Sequence, residues 1–297
     1  MGSEYLKKNL KDKFMILHCY HDITGIGGGR FISKCTAIGY MVALTYVIVS
    51  LTAVSSLAVE DTPSAKDLTY ITHQFPLFNF QEDNRIQGIS IDLLELVWNR
   101  MGESLNRSVI EFLPWTEGYQ RTLNKKNTVL FATARLPERE QLFKWAGPIG
   151  SDMKVLLAKK DKDLSISGPA DLKNYRIGVV KDDSAVQLVL NNGARMEDLV
   201  VENTSKPIIE MLQNDSIDAW AYSETAGRWL IRNSGANASD YRAAYVLGKI
   251  EAYYAFNKET PDSLVQSFQQ ALDYRSWVKV TENHHQNQMP KIHFCSK

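Results

Sequence analysis

Between Lys66 and Tyr274 short apolar runs alternate with stretches whose apolar residues recur every three or four positions, and the alternation runs through twice. Strand-length runs interleaved with amphipathic helices specify an α/β sheet, because each buried strand needs helices to cover its faces. In the first round Leu68–Thr72, Val109–Leu113 and Val129–Ala132 read as strands. Helical spacing covers Ile89 to Met101, with Ser90 as the expected cap, and Trp115–Leu123 is the next helix. Val155–Ala158 is a further strand, and the charged, Gly- and Pro-bearing segment Lys159 to Gly168 is expected to cross to a second unit. There the rhythm restarts: helix Ala170–Asn174, strand Ile177–Val180, helix Ala185–Asn191, strand Leu199–Val201, helix Pro207–Gln213, strand Ala219–Tyr222 and helix Glu224–Asn233. Two α/β units with mainly parallel strands follow, with a ligand expected between them at the carboxyl ends of strands.

Composition narrows the setting. The formal net charge of the 297 residues is zero, which gives no global field for nucleic acid. Residues 1–34 hold six Lys/Arg against three Asp/Glu, which leaves 28 against 31 for the rest. From Cys35 to Val59 no residue is charged, a length that spans a bilayer core of about 30 Å as a helix. Arg30 and Lys34 precede that run and Glu60 and Asp61 follow it, so residues 1–34 are expected to stay in the cytoplasm and the body outside. Residues 35–59 are a transmembrane or signal-anchor helix, or a signal cut after Ala58; the 34-residue arm is long for the latter. The cysteines are Cys19, Cys35 and Cys295, which leaves the body without an internal disulfide or a cysteine metal site. Asn106, Asn203, Asn214 and Asn237 begin Asn-x-Ser sequons.

Chemistry concentrates in TARLPEREQLFKWAGP, Thr133 to Pro148. Arg135 and Arg139 lie four apart around a Pro-Glu helix start, and an arginine's planar fork of donors matches a carboxylate. The pair reads either as an anion clamp or as two solvated residues of a short helix. GIGGGR at Gly25–Arg30 has no preceding strand and no Lys-Ser/Thr, so it is not a phosphate loop. Neither Gly-x-Ser-x-Gly nor His-Glu-x-x-His occurs, and no spacing of acids marks a catalytic pair. No cofactor or metal is expected; His284, His285 and His293 fall in a polar, irregular tail, 276–297.

The collinear order of these segments resembles the extracellular solute-binding proteins of family 3, the receptors of amino-acid ABC importers. The resemblance runs through GISIDLLELVWNRMG (Gly88–Gly102), IEFLPWTEGYQRTL (Ile110–Leu123), the LPERE turn, DLKNYRIGVVKDDSA (Asp171–Ala185) and NDSIDAWAYSETAG (Asn214–Gly227). It implies a two-lobed periplasmic-binding-protein-like, or flytrap, fold: residues 66–158 begin lobe one, 159–247 form lobe two, and 248–275 return to lobe one. Tyr245 to Phe256 would be the returning hinge strand and Pro261–Tyr274 the helix packed back on lobe one. A small amino-acid-like or carboxylate ligand and an ABC permease partner are implied, with no nucleic acid.

The resemblance also assigns roles. Arg139 matches the arginine that grips the ligand carboxylate, and Phe75 and Trp115 match aromatic positions around the ligand, though either could be core. Tyr119 lies one turn beyond Trp115, and Thr133 sits beside the clamp as a donor. Asp183 and Ser184 match the turn at a helix start in lobe two, where Asp182 and Asp183 replace glycine. The acceptor for a ligand amino group falls on Ser223; neighbouring Glu224 either takes that role or is a helix-start acid. A membrane-tethered sensor or orphan module is the rival reading, and an enzyme on the same fold is a more distant one.

Overall fold

A computed structural model describes residues 64–272 of the chain. Lobe one is built on β1 (Thr69–Thr72), flanked in parallel by β4 (Ile110–Phe112) and β5 (Thr128–Ala134). Its helices are α1 (Ile89–Arg100) and α2 (Trp115–Asn124). All seven residues of β5 are buried, as a strand covered on both faces must be. Lobe two repeats the plan with β7 (Ile177–Val180) between β8 (Leu199–Glu202) and β9 (Ala219–Ser223), again parallel. Its helices are α3 (Ser184–Asn191), α4 (Ser205–Gln213) and α5 (Glu224–Asn233).

Two long strands, β6 (Phe143–Lys159) and β10 (Tyr241–Asn257), run antiparallel through both lobes and join them into one eight-stranded sheet of order β4-β1-β5-β10-β6-β9-β7-β8. The sheet is therefore mixed rather than mainly parallel. The first crossing is not the segment Lys159 to Gly168: β6 already pairs with β9 of lobe two from Lys154 to Leu157. Its beginning is disguised in the sequence because Gly147–Ile149 bulge out opposite Tyr253, where Pro148 has no amide to give a ladder. The return strand encloses the expected Tyr245 to Phe256, and α6 (Asp262–Ala271) packs back on lobe one with Phe268 against Tyr70, Tyr254 and Phe256.

Between β1 and α1 lies a hairpin the sequence did not announce, β2 (Phe80–Glu82) and β3 (Arg85–Gln87), turned by Asp83 and Asn84 at φ 50° and 59°. The cap of α1 is Gly88 rather than Ser90, which is buried. Gly88 has φ 127°, and an added Cβ would lie 2.3 Å from the Phe78 carbonyl oxygen. That close approach lets the Leu77 and Phe78 carbonyls accept from the Ile89 and Ser90 amides, which fixes the Phe75–Phe78 turn against the start of α1. The hydrophobic core passes from Tyr70, Trp98 and Phe131 in lobe one to Ile208 and Trp220 in lobe two. The run 35–59, the arm before it and the tail 276–297 lie outside the described residues; among those described, no helix is long and apolar enough to cross a membrane.

Candidate functional site

The carboxyl ends of β1, β5, β7, β8 and β9 meet in a cleft between the lobes. Lobe one contributes His73 and Phe75 just past β1, Trp115 from the first turn of α2, and Arg139 from the turn after β5, with Tyr119 buried behind Trp115 and Arg139. Lobe two contributes Asp183 and Ser184 at the cap and start of α3, Asn203 and Thr204 before α4 with Ser205 as its first residue, and Tyr222 near the end of β9. The hinge strand β6 supplies Asp152 and Lys154. Strand ends suit this task because loops and helix N-termini can vary there while the sheet holds their positions.

Arg139 is 7 % exposed. Its Nη2 donates to the Asp182 carbonyl across the cleft at 2.7 Å, and its Nη1 donates to the Ala134 carbonyl at 3.2 Å. The guanidinium lies 5.2 Å from the Tyr119 ring centroid and 5.7 Å from that of Trp115. Burial pulls its pKa below the usual guanidinium value. Two further bonds bridge the lobes: Thr116 Oγ1 donates to the Asn203 carbonyl at 3.0 Å, and Gln120 Nε2 to Asp182 Oδ2 at 3.1 Å. The lobes are closed.

Arg135 is not the second half of a clamp. It pairs with Glu140 and lies over Trp145 and Tyr253, away from the cleft lining. Thr133 is also turned aside. A bulge in the pairing of β5 with β10, marked by Ala132 at φ 57°, directs the Thr133 hydroxyl to the Leu130 carbonyl at 3.3 Å. Ser223 caps α5, accepting from the Ala226 amide at 3.2 Å while its hydroxyl donates to Asp152 Oδ1 at 2.8 Å. Its proton is thus committed to Asp152 and one of its lone pairs to the cap. Glu224 pairs with Arg228 one turn along α5, as a helix-start acid does.

Asp183 does not stand as a bare carboxylate: its Oδ1 accepts from the Ala185 amide at 2.8 Å, capping α3, and lies 3.5 Å from Lys154 Nζ. Asp152, Lys154 and His73 escaped the sequence reading. Lys154 is 2 % exposed and sits between Asp183 and Asp152, the latter at 3.7 Å. Burial raises the Asp152 pKa above the ordinary carboxylate range, against the pull of Lys154. His73 packs between Phe75 and Trp115, its Nδ1 without a hydrogen-bond partner, and burial pushes its pKa down to about 3, so it is neutral. The missed signal is Asp-Met-Lys at 152–154. On a strand, spacing two puts both charges on one face, and here the charges point inward while Met153 is exposed.

Space in the cleft is uneven. Around Arg139, Lys154 and Asp183 only about 10 Å³ is free, room for at most one water. Beside it a cavity of about 300 Å³ opens between His73, Phe112, Trp115, Val180, Asn203 and Tyr222. This volume suits a small solute. Among the described residues no cluster of His, Cys, Asp and Glu could hold a metal ion.

The fold recurs in solved structures. A mutant of ArgBP from T. maritima aligns with a TM-score of 0.62 at 19% identity, covering 75% of this chain and 95% of that one. The arginine-, lysine-, histidine-binding protein ArtJ from Geobacillus stearothermophilus aligns at 0.59 and 17% identity, with 72% and 94% covered. A histidine kinase sensor domain with similarity to periplasmic binding proteins aligns at 0.61 and 16% identity, with 72% and 95% covered. No curated protein sequence matches. The family model of the bacterial extracellular solute-binding proteins, family 3, matches residues 68–275, which takes in both lobes and the cleft, and the chain belongs to that family.

Proposed function

We propose that the protein is an extracytoplasmic receptor, exported or anchored through residues 35–59, that binds an amino-acid-like or small carboxylate solute in the interlobe cleft and presents its closed form to an ABC permease. The observation that carries this reading is Arg139: a buried cation at the meeting of the lobes that donates to two carbonyl oxygens and touches Tyr119, while Asp183, Asp182 and Glu138 act on it through charge and make no ion pair with it. Such a charge is costly to bury and is suited to an anion brought from outside. Trp115, Tyr119 and Phe75 would cover the solute and Ser184 would face it from lobe two. The closed form gains on the open one only by the solute's differential affinity for it.

A sensor module is the second reading, favoured by the three direct bonds that already join the lobes. Similarity in fold to a histidine kinase sensor domain is consistent with it. Thermal unfolding with a panel of amino acids and small carboxylates separates the two. A solute at a hundred times its dissociation constant adds about 2.7 kcal/mol, which raises the midpoint by roughly 5–10 °C in a protein of this size. The receptor reading requires such a shift and its loss in Arg139→Ala. A panel without effect on a well-folded protein would leave the sensor reading.

A further inference from the structure

Lys154 occupies a cage fit for an ammonium group. Its Nζ lies 3.5 Å from Asp183 Oδ1, 3.7 Å from Asp152 Oδ2 and 5.0 Å from the ring centroids of both Phe75 and Tyr222. Two carboxylates and two aromatic faces are the groups that recognise a small cation. The cage draws on three parts of the fold: Phe75 from lobe one, Asp183 and Tyr222 from lobe two, and Asp152 with the lysine itself from β6. It is therefore complete only when the lobes are closed. Both carboxylates are further engaged, Asp183 with the Ala185 amide and Asp152 with the Ser223 hydroxyl.

We propose that Lys154 is a built-in occupant of the cleft's cation subsite and makes the site selective for small carboxylates that carry no charged amino group; this rests on the receptor reading above. A solute ammonium aimed at the cage would meet the Lys154 charge at about 5 Å or less in a buried site, where like charges repel strongly. Asp183 Oδ1 and Asp152 Oδ1 already accept hydrogen bonds, and Asp152 Oδ2, which accepts none, faces the Lys154 ammonium that fills the cage. Arg139 differs from Lys154 in donating to neutral carbonyl oxygens, and the two cations together balance the Asp152 and Asp183 carboxylates, so the buried cleft holds no surplus of acid to draw a solute ammonium. What the fixed groups leave for a solute is the Arg139 guanidinium and a cation cage already filled. Selectivity of this kind comes from what the site repels as much as from what it attracts.

The test uses the full-length protein, titration calorimetry and thermal unfolding. Its probes are acid pairs that differ only in the amino group: succinate and aspartate, glutarate and glutamate, 3-phenylpropionate and phenylalanine. Butylammonium chloride probes the cage alone. The wild type should bind one of the amino-free acids at least about tenfold more tightly than its amino counterpart and ignore butylammonium. Lys154→Ala empties the cage; it should lose the preference by about tenfold or more and gain several degrees of stability from butylammonium. Lys154→Met keeps the cage filled without charge and should not respond to the amine. If Lys154→Ala fails to fold in buffer, recovery with butylammonium supports the cage, and failure to recover overturns it. A wild type that prefers an amino acid to its amino-free counterpart overturns the selectivity, and if that binding needs Arg139 the receptor reading still stands. A wild type that ignores every acid overturns receptor and selectivity together.

Discussion

Replacing Arg139 and Lys154 by methionine, one at a time, deletes a buried positive charge in each case but should affect the free protein to different extents. Lys154 is matched by Asp183 and Asp152 within 4 Å. Taking one partner out of such a buried pair costs about 3–5 kcal/mol, because the other is left uncompensated. Methionine keeps contact with Phe75 and Tyr222, so the lower end, about 3 kcal/mol, is expected near neutral pH. In a protein of this size that is a fall of roughly 6–12 °C in the unfolding midpoint. The loss should shrink toward pH 5. Asp152 is already raised by burial and held back by Lys154, so without the lysine its folded pKa rises further. A carboxyl with a raised folded pKa binds more protons folded than unfolded, so stability is gained as pH falls through that value.

Arg139 forms no close ion pair; Asp183, Asp182 and Glu138 act on it only through their charge. Removing it forfeits two hydrogen bonds to carbonyl oxygens and contacts with two rings. These contribute about 1.5–3 kcal/mol per charged bond and about 0.5–2 kcal/mol for the rings, against a desolvation penalty of several kcal/mol for the guanidinium. Gains and penalty are of similar size, so Arg139→Met should cost less than the ~3 kcal/mol of Lys154→Met. Binding of a carboxylate that uses two of its donors should still weaken by about a hundredfold or more. Urea unfolding followed by tryptophan fluorescence at the two pH values, with one binding titration, measures all of this. An Arg139→Met protein that loses 3 kcal/mol or more, or a Lys154→Met protein as stable as the wild type near neutral pH, would refute the assignment of one cation to structure and the other to the solute.

Gly227→Ala should destabilise by about 1–3 kcal/mol in urea unfolding, because its Cβ would fall 2.4 Å from Leu157 Cδ1 where α5 packs on β6. Removing two lobe-bridging donors in Thr116→Val with Gln120→Ala should shift the protein toward the open form; a rise in the radius of gyration by X-ray scattering checks it, and an unchanged radius counts against the closed resting state. His73 carries a pH signature. Its pKa is depressed from 6.5 to about 3 by burial, so the unfolded chain binds the proton first and stability falls as pH drops from about 6.5 toward 3. In His73→Phe that part of the acid limb should be gone, and an acid limb identical to the wild type's would show that the imidazole is not buried neutral.

What was legible in the sequence was whatever local periodicity controls. Strand Ile177–Val180 and helix Glu224–Asn233 come out with the bounds their apolar spacing predicts, and the other described helices shift by only a few residues at their ends. The β2–β3 hairpin was missed because its strands are three residues each, too short for an alternation to register. The length of β6 was missed for another reason. Its first part contains Gly147, Pro148 and Gly150, residues of low strand preference, and what makes it a strand is pairing with β10.

The same strand explains why the candidate site was only half legible. Arg139 and Trp115 stand out in the sequence because the resemblance matches them to site positions, and Tyr119 because it lies one helical turn beyond Trp115. The cage around Lys154 has no local pattern. Phe75 and Tyr222 are 147 positions apart in the chain, and their rings meet at 6.2 Å only because the lobes close. An Asp and a Lys two apart on a strand most often read as a solvated face; here closure buries them, and Met153 between them is the one left exposed. Ser223 shows the consequence: where the resemblance placed an acidic acceptor, the chain has a serine, and the carboxylate arrives instead from Asp152 on the neighbouring strand, already committed to the chain's own hydroxyl and ammonium. A site can thus keep its donor and acceptor types while moving them to other strands, and when it does so its charges become its own counterions and the solute it accepts must change with them.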